Sequence, residues 1–230
     1  MSYGGGTNSV AMLIGLRDRG IVPDIILFAD TGGERPVTYQ HVKTMQAWCE
    51  KNGFPDISIC SEKKTLESDC LKRNALPGLA YGFKSCSEHF KIRPQKRWLK
   101  TNGYKPEIFL VGIDAGESHR VKDDPSTKYP LVEWGWGRSE CIAAIKKEGL
   151  PLPGKSSCFF CPAMKAEEIR ALKVQHPELM DRAIKMEENA NLTTALGLGR
   201  TFSWRSVIAT DDMFPELYNN TEIACGCYDG

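Results

Sequence analysis

Three short apolar runs, each separated from the next by helix-forming sequence, set the strongest limit on what this chain can fold into. Asp24-Ile25-Ile26-Leu27-Phe28-Ala29-Asp30 reads as a buried strand that ends in an acid and the turn Thr31-Gly32-Gly33. Ile57-Ser58-Ile59-Cys60 and Ile108-Phe109-Leu110-Val111-Gly112-Ile113 read as two more. Between the first two lies an amphipathic helix with Val42, Met45, Trp48 and Cys49 on one face, closed by Asn52-Gly53. This alternation predicts an α/β fold. Its expected form is a Rossmann-like parallel sheet flanked by helices, with ligands at the carboxyl ends of the strands.

The N-terminus supplies a ligand signal. Gly4-Gly5-Gly6-Thr7-Asn8-Ser9 runs into a helix over about residues 8 to 19, through Val10, Ala11, Leu13 and Ile14. Glycines let backbone N–H groups approach an anion, and the helix adds the positive end of its dipole. An ordered turn before a capped helix would carry the same letters, with Asn8 as the cap. No Gly-Lys-Ser/Thr closes the loop and no G-x-G-x-x-G spacing is present, so it is neither a Walker A loop nor a dinucleotide fingerprint. Only Met1-Ser2-Tyr3 precede Gly4, so the first strand is either very short or begins upstream.

At 230 residues the chain has room for one large domain, or for a domain with an appendage. Lys and Arg total 30 against 29 Asp and Glu, and a net charge of +1 gives no global pull toward nucleic acid or membrane. No apolar run approaches the ~18 residues of a membrane span, and no signal-peptide layout opens the chain. The expectation is a soluble, cytoplasmic protein. Leu150-Pro151-Leu152-Pro153-Gly154 reads as a boundary between a nucleotide-binding domain at 1–150 and a small helical, Cys-containing C-terminal region at 151–230. That region carries helices around Lys165 to Val174 and Pro177 to Asn189.

Nine cysteines without an export signal point to thiolate chemistry rather than disulfides. Cys49, Cys60 and Cys70 lie among apolar positions and read as small buried hydrophobes. Cys158-Phe159-Phe160-Cys161 can aim two thiolates at one metal, and Cys86, Cys225 and Cys227 supply further donors. A metal or iron–sulfur site, a redox dithiol and inert thiols all fit this set, and spacing alone does not separate zinc from iron–sulfur. No histidine pair has helical ligand spacing, and His41 and His176 read as surface residues. Lys91, Arg93, Lys96, Arg97 and Lys100, with Tyr104, read as a solvated helix face, a phosphate-binding set or a surface for a nucleic-acid strand, Trp98 being a core position.

Segments spanning roughly residues 2 to 165 together resemble the PAPS reductase-like branch of the PP-loop ATP pyrophosphatases, the adenine nucleotide alpha-hydrolase-like superfamily. The opening loop is similar to Ser-Gly-Gly-x-Asp-Ser, with Gly4 in place of the serine and Asn8 in place of the aspartate. Asp30-Thr31-Gly32 through Pro36 to Thr38-Tyr39 is similar to Asp-Thr-Gly-x-x-x-Pro-x-Thr-Tyr, and Cys86 through Lys91 and Pro94 to Arg97 to Cys-Cys-x-x-x-Lys-x-x-Pro-x-x-Arg, with Ser87 at the second cysteine. Gly112-Ile113-Asp114-Ala115-Gly116-Glu117-Ser118-His119-Arg120 resembles Gly-x-Arg-x-x-Glu-Ser-x-x-Arg, with Asp114 replacing the first arginine. Tyr129-Pro130-Leu131-Val132-Glu133-Trp134 and Leu150-Pro151 also match.

The resemblance implies ATP or a related adenine nucleotide held by Tyr3, Gly4, Gly5, Gly6, Thr7, Asn8, Ser9, Asp30, Thr31, Gly32, Gly112 and Ile113. Ser9, Lys91, Arg97 and Arg120 would be the catalytic set. It leaves room for Mg2+, although Asn8 brings no charge to a metal. It also implies a 4Fe-4S cluster, with zinc as the alternative, on Cys86, Cys158 and Cys161 plus Cys225 or Cys227, or on Cys158, Cys161, Cys225 and Cys227. The implied reaction is adenylation of an acceptor, small-molecule or nucleic-acid, coupled to sulfur or redox chemistry, with a thiol or sulfur donor protein and self-association as further partners. Two alternatives stand beside it: a sulfonucleotide reductase, whose nucleophile segment Cys225-Gly226-Cys227 resembles without the flanking Glu and His, and a non-catalytic nucleotide-dependent nucleic-acid-binding module.

Overall fold

The computed structural model describes residues 1–80 and 83–213. In chain order the elements are β1 (Ser2–Tyr3), α1 (Thr7–Asp18), β2 (Ile26–Asp30), α2 (Pro36–Lys51), β3 (Ile57–Ser61), α3 (Leu66–Lys72), β4 (Leu79–Ala80), β5 (Phe83–Lys84), α4 (Ser85–Ser87), a π turn (Glu88–Ile92) and α5 (Arg93–Thr101). There follow β6 (Phe109–Leu110), a 3-10 helix (Ala115–Arg120), β7 (Thr127–Lys128), α6 (Pro130–Glu133), α7 (Arg138–Lys147), α8 (Ala166–Gln175), α9 (Pro177–Asn189) and α10 (Trp204–Met213). No helix among the described residues is long and apolar enough to cross a membrane.

Two compact units divide the chain. The first comprises residues 1–30, 34–61 and 91–156 and holds a parallel sheet flanked by helices. Strand β1 pairs with β2 and β2 with β3, all parallel, with Ser2 opposite Leu27 and Phe28 opposite Ile59. On its other side Ser2 forms a parallel bridge with Val111, which follows β6, and β6 pairs in parallel with β7. The run from Ile108 to Ile113 therefore makes a shorter strand than its letters predict: Ile108 is exposed, and beyond Val111 the chain leaves the ladder at Gly112. Because β1 and β2 are joined through α1 while β6 returns on the opposite side of β1, strand order reverses at β1. The carboxyl end of that strand is a topological switch point, the place where open α/β sheets bind ligands.

Helix α1 is the centre of this unit. Every residue from Thr7 to Leu16 is buried, as the uniformly apolar letters Val10, Ala11, Met12, Leu13, Ile14 and Leu16 require. Burial of each large apolar side chain contributes about 1.5–3 kcal/mol. Gly15 is needed for close packing: a Cβ there would lie 2.3 Å from the Trp134 ring. The helices α1 and α7 pack together, with Leu131, Cys141 and Ile145 in the same core.

His41 is not the surface residue its letters suggest. It stands on the inner stripe of α2 with Thr38, Val42, Met45, Trp48 and Cys49, only 4% exposed, and burial lowers its pKa. Spacing explains this, because residue 41 falls one turn from both Thr38 and Met45. Cys49 and Cys60 are buried as expected, with thiols pushed up to about 11 by burial.

Among the described residues, the second unit comprises residues 31–33, 62–80, 83–90 and 157–213 and is mainly helical. Its core joins Leu66 and Cys70 of α3 to Phe159, Phe160, Ile169, Leu172, Met180, Ala183, Met186 and Trp204. The Thr65 hydroxyl accepts the Ser68 N–H at 3.1 Å and caps α3. The buried carboxylate of Glu187 accepts the N–H groups of Leu198, Trp204 and Arg205 at 2.6, 2.9 and 3.1 Å, which fixes the approach to α10.

An ion pair braces the first unit. Arg17 of α1 holds both oxygens of Glu148, just past α7, and the Trp48 indole donates to the same carboxylate at 2.8 Å. The hydrogen bonds from Arg17 keep the Glu148 pKa below its ordinary 4.5, against the opposing effect of burial. Its stabilisation is therefore full above pH 4.5 and is lost as the pH falls through the lower folded value. Glu148→Gln should cost about 1 kcal/mol at neutral pH, with wild type and variant converging in denaturant melts as the pH approaches about 3.

Candidate functional site

The glycine loop lies at the switch point. From Tyr3, buried at the end of β1, the chain turns through Gly4, Gly5 and Gly6 into α1. Gly5 adopts φ +74°, and a Cβ there would come within 3.1 Å of the Thr38 methyl, so glycine answers both a left-handed turn and a close approach. Around Gly4 the space is open, with nothing within 4 Å of a built Cβ. Gly6, not Asn8, is the N-cap, and no side chain caps the helix. Asn8 was expected to serve there; the helix begins at Thr7, which carries Asn8 into the first turn. The first N–H groups of a helix have no partner within it, so an uncapped N-terminus behind three glycines is suited to an anion.

A second loop meets the first. Beyond β6, Gly112 comes so near that a Cβ would lie 3.2 Å from the Ser9 nitrogen and 3.3 Å from the Asn8 carbonyl carbon. Ile113 and Asp114 are buried, and Asp114 caps the 3-10 helix by accepting the Glu117 N–H at 3.1 Å. The Glu117 carboxylate takes the Asn8 amide N–H on Oε2 at 3.3 Å and pairs through Oε1 with Arg120. Asn8 itself is 8% exposed, and its Oδ1 is buried without a hydrogen-bond partner. The Ser9 hydroxyl donates to the Gly6 carbonyl at 2.9 Å, which tightens the loop.

The other strand ends carry charge as well. Asp30 closes β2 and accepts the Tyr39 hydroxyl at 2.8 Å, while burial and then this contact raise the Tyr39 pKa. Arg97 donates to the carbonyl of Ser61, the last residue of β3, at 2.8 Å. Lys91 pairs with Glu34 at 3.1 Å, and the fully buried Glu34 keeps Oε2 without a partner. Lys91, Arg97 and Arg120 thus all have protein partners.

Three residues outside the sequence-derived set belong to this description. Thr38 touches Gly5 and leaves its hydroxyl oxygen buried and unpaired. Glu34 is the buried partner of Lys91. Lys155 is 8% exposed and follows Gly154, which packs on Val37 in the first turn of α2. Only the Gly-Lys-Ser-Ser letters could have drawn attention to the lysine.

A separate surface on the first unit has Trp98 and Tyr104 stacked at 5.7 Å and 6°. Trp98 is half-buried rather than core. Exposed Lys96, Lys100 and Lys105 border a cavity of about 290 Å3 floored by Leu99 and Phe109. Charge and ring faces of this kind can hold a polyanionic strand.

The thiols are placed in the second unit. Cys158 to Cys161 form a turn, with the Cys161 N–H donating to the Cys158 carbonyl at 3.0 Å. Cys158 Sγ lies 3.1 Å from Thr31 Oγ1, the Phe159 N–H donates to the Gly33 carbonyl at 2.8 Å, and a Cβ on Gly33 would collide with Phe160 at 2.7 Å. The Thr31-Gly32-Gly33 turn thus receives the Cys-x-x-Cys turn. Cys86 and Cys161 are half-buried against the same apolar cluster as Cys158. No disulfide joins the cysteines among the described residues, nor are three or more His, Cys, Asp or Glu side chains gathered there into a metal-holding group. Three soft thiol donors on one core are nonetheless chemically suited to zinc or an iron–sulfur centre. Cys225 and Cys227 lie outside the described residues.

No family model matches the chain. Uncharacterized protein MJ0066 of Methanocaldococcus jannaschii is 25% identical over 199 residues, and the match covers 79% of this chain and 40% of that protein. The chain therefore spans well under two thirds of the length of this curated relative. Similar solved structures include a phosphoadenylyl-sulfate (PAPS) reductase from Candida auris in a phosphate complex, at 19% identity and a TM-score of 0.44, covering 66% of this chain and 73% of that one. Another is the U34-tRNA thiolase NcsA from Methanococcus maripaludis with its 4Fe-4S cluster, at 16% identity and a TM-score of 0.43, covering 93% and 80%.

Thiol exposure and acidity should separate the cysteines. Burial pushes Cys49 and Cys70 up to about 11 and Cys141 up to about 12, which leaves almost no thiolate near neutrality. In the folded protein stripped of metal by a chelator, alkylation followed by peptide mass spectrometry should label Cys86 and Cys161 at least about tenfold faster than Cys49, Cys70 and Cys141.

Proposed function

We propose that this chain is a PAPS reductase-like PP-loop enzyme that binds ATP or a related adenine nucleotide at the loop from Gly4 to Ser9 and adenylates an acceptor, coupled to sulfur or redox chemistry. The observation that carries this reading is the convergence of two loops at the switch point beside β1, Gly4–Ser9 ending in an uncapped helix and Gly112–Arg120 laid against its first turn. In this reading the N–H groups of α1's first turn take the phosphates, and Gly112 is small so that the second loop can close on them. Arg120, held by Glu117, supplies positive charge to the pyrophosphate as it leaves the adenylyl group transferred to the acceptor.

An iron–sulfur cluster or zinc would be held by Cys86, Cys158 and Cys161, with a further donor from Cys225 or Cys227; a cluster would supply the sulfur or redox chemistry, whereas zinc would serve only to hold the thiols. The chain's own contribution is to hold the thiols in place: Phe159 and Phe160 anchor the Cys158 turn in an apolar core, and Thr31 contacts its first sulfur.

Nucleotide binding is the primary test. Gly112→Val should push the second loop from Ser9 and weaken ATP binding by about tenfold or more in calorimetry, with the far-UV spectrum retained. Ser9→Ala combined with Arg120→Ala should abolish binding, and unchanged affinity in that double variant sinks the assignment. For the metal, anaerobically purified protein should show a broad band near roughly 400 nm with iron and sulfide. A colourless protein that retains zinc assigns the thiols to a structural metal.

A further inference from the structure

We propose that the end of α5 and the turn after it form a docking surface for single-stranded nucleic acid, with a base stacked on Tyr104 and phosphates on Lys96, Lys100 and Lys105. This surface does not rest on the nucleotide reading above. Its cavity of about 290 Å3 is floored by Leu99 and by Phe109 at the start of β6, whereas Gly112, beyond the end of that strand, is the residue that meets Ser9. An adjoining cavity shares Leu99, Tyr104 and Phe109 and reaches Met1 and Ile25, just ahead of β1 and β2. The docking surface and the glycine loop therefore occupy opposite edges of the sheet.

The stacking platform is preorganised. Gly103, at φ +77°, ends α5: its N–H donates to the Lys100 carbonyl at 3.3 Å, and the Tyr104 N–H donates to the Leu99 carbonyl at 2.9 Å. A helix end of this kind packs the residue after the glycine on the last turn, which accounts for Tyr104 against Trp98. It does not account for the rest of the tyrosine, which is 46% exposed and lines the cavity with the three lysines. A ring already held by main-chain hydrogen bonds loses little entropy when a base stacks on it.

Charge selects the partner. Residues 93–105 hold five cations and no acid, in a chain whose net charge is only +1. Arg93, Lys96, Arg97 and Lys100 recur at helical spacing on the exposed side of α5, a stripe about 10 Å long that leads to Lys105. The negative end of the α5 dipole opposes phosphate, but the carbonyls of Trp98, Leu99 and Lys100 already accept N–H groups there. Asp124 lies near enough to Lys96 to feel its charge, and Asp24 and Glu107 line the adjoining cavity, so the strand follows α5 instead of the larger groove. An apolar floor, an exposed ring and a cationic border fit an unpaired base and its backbone, whereas a duplex keeps its bases stacked inside.

The test is fluorescence anisotropy of labelled oligo-dT and oligo-U strands of about 12 nucleotides with the full chain, in about 50 to 200 mM salt and without ATP. Wild type should bind, about tenfold more weakly at the higher salt, and the tighter of the two strands names the sugar. Tyr104→Ala should weaken binding about fivefold or more with the salt slope unchanged, and Tyr104→Phe should restore it. Lys100→Ala with Lys105→Ala should lower the slope of log affinity against log salt by about 1.4, an exposed pair that remains informative should Tyr104→Ala fail to fold. No binding of either strand, wild-type affinity in Tyr104→Ala, or equal affinity for a duplex or for poly-glutamate overturns the surface. Displacement of the strand by ATP at constant ionic strength also overturns it, by putting the strand in the glycine loop. A strand bound alongside ATP supports both readings, and a strand bound by a protein that takes no ATP supports the surface and removes the nucleotide reading.

Discussion

The first unit depends on the burial of α1 on every side. A helix with one apolar stripe can slide or rotate against its sheet, but one buried from Thr7 to Leu16 cannot move without opening the core. Its start is therefore fixed directly beyond β1. The glycines span a very short distance between a buried strand and a buried helix, and that constraint holds the first-turn N–H groups at the carboxyl edge of the sheet. Gly15 against the Trp134 ring and Arg17 on Glu148 show the same helix locked along its length.

Around that fixed point, the candidate site is made mostly of backbone. Gly5, Gly6 and Gly112 bring main chain close to main chain, and the side chains that matter are few: Asn8, Ser9, Thr38, Glu117 and Arg120. Such a surface is suited to phosphate, which is recognised by N–H groups and fixed dipoles. It also explains why the cations cannot be judged by counting. Lys91, Arg97 and Arg120 each lean on a carboxylate or carbonyl, so their positive charge is partly spent before any ligand arrives.

The second unit solves a different problem. Its Cys-x-x-Cys turn carries two adjacent phenylalanines, 1% and 0% exposed, which bury the turn's middle and leave its ends to present sulfur. Cys158 is the more deeply held of the pair, in contact with Thr31, and Cys161 is nearer the surface. Packing thus gives two chemically identical residues different access.

Much of this was legible in the amino-acid sequence because it is local. Alternating apolar runs and amphipathic helices specify strands β2 and β3 with α2 between them, a glycine triplet before Thr-Asn-Ser specifies a loop and a helix start, and Cys49, Cys60 and Cys70 fall on apolar positions and are buried. What tertiary structure decided is non-local. Residues 8 and 117 meet only because β6 returns beside β1, a pairing set by one bridge between Ser2 and Val111 that no periodicity announces. His41 is buried because its stripe on α2 faces the core, whatever its polarity. The sequence by itself determined which segments could cradle an anion; the tertiary structure decided which side chains face each other across the cradle, because strand order, not strand propensity, sets the neighbours.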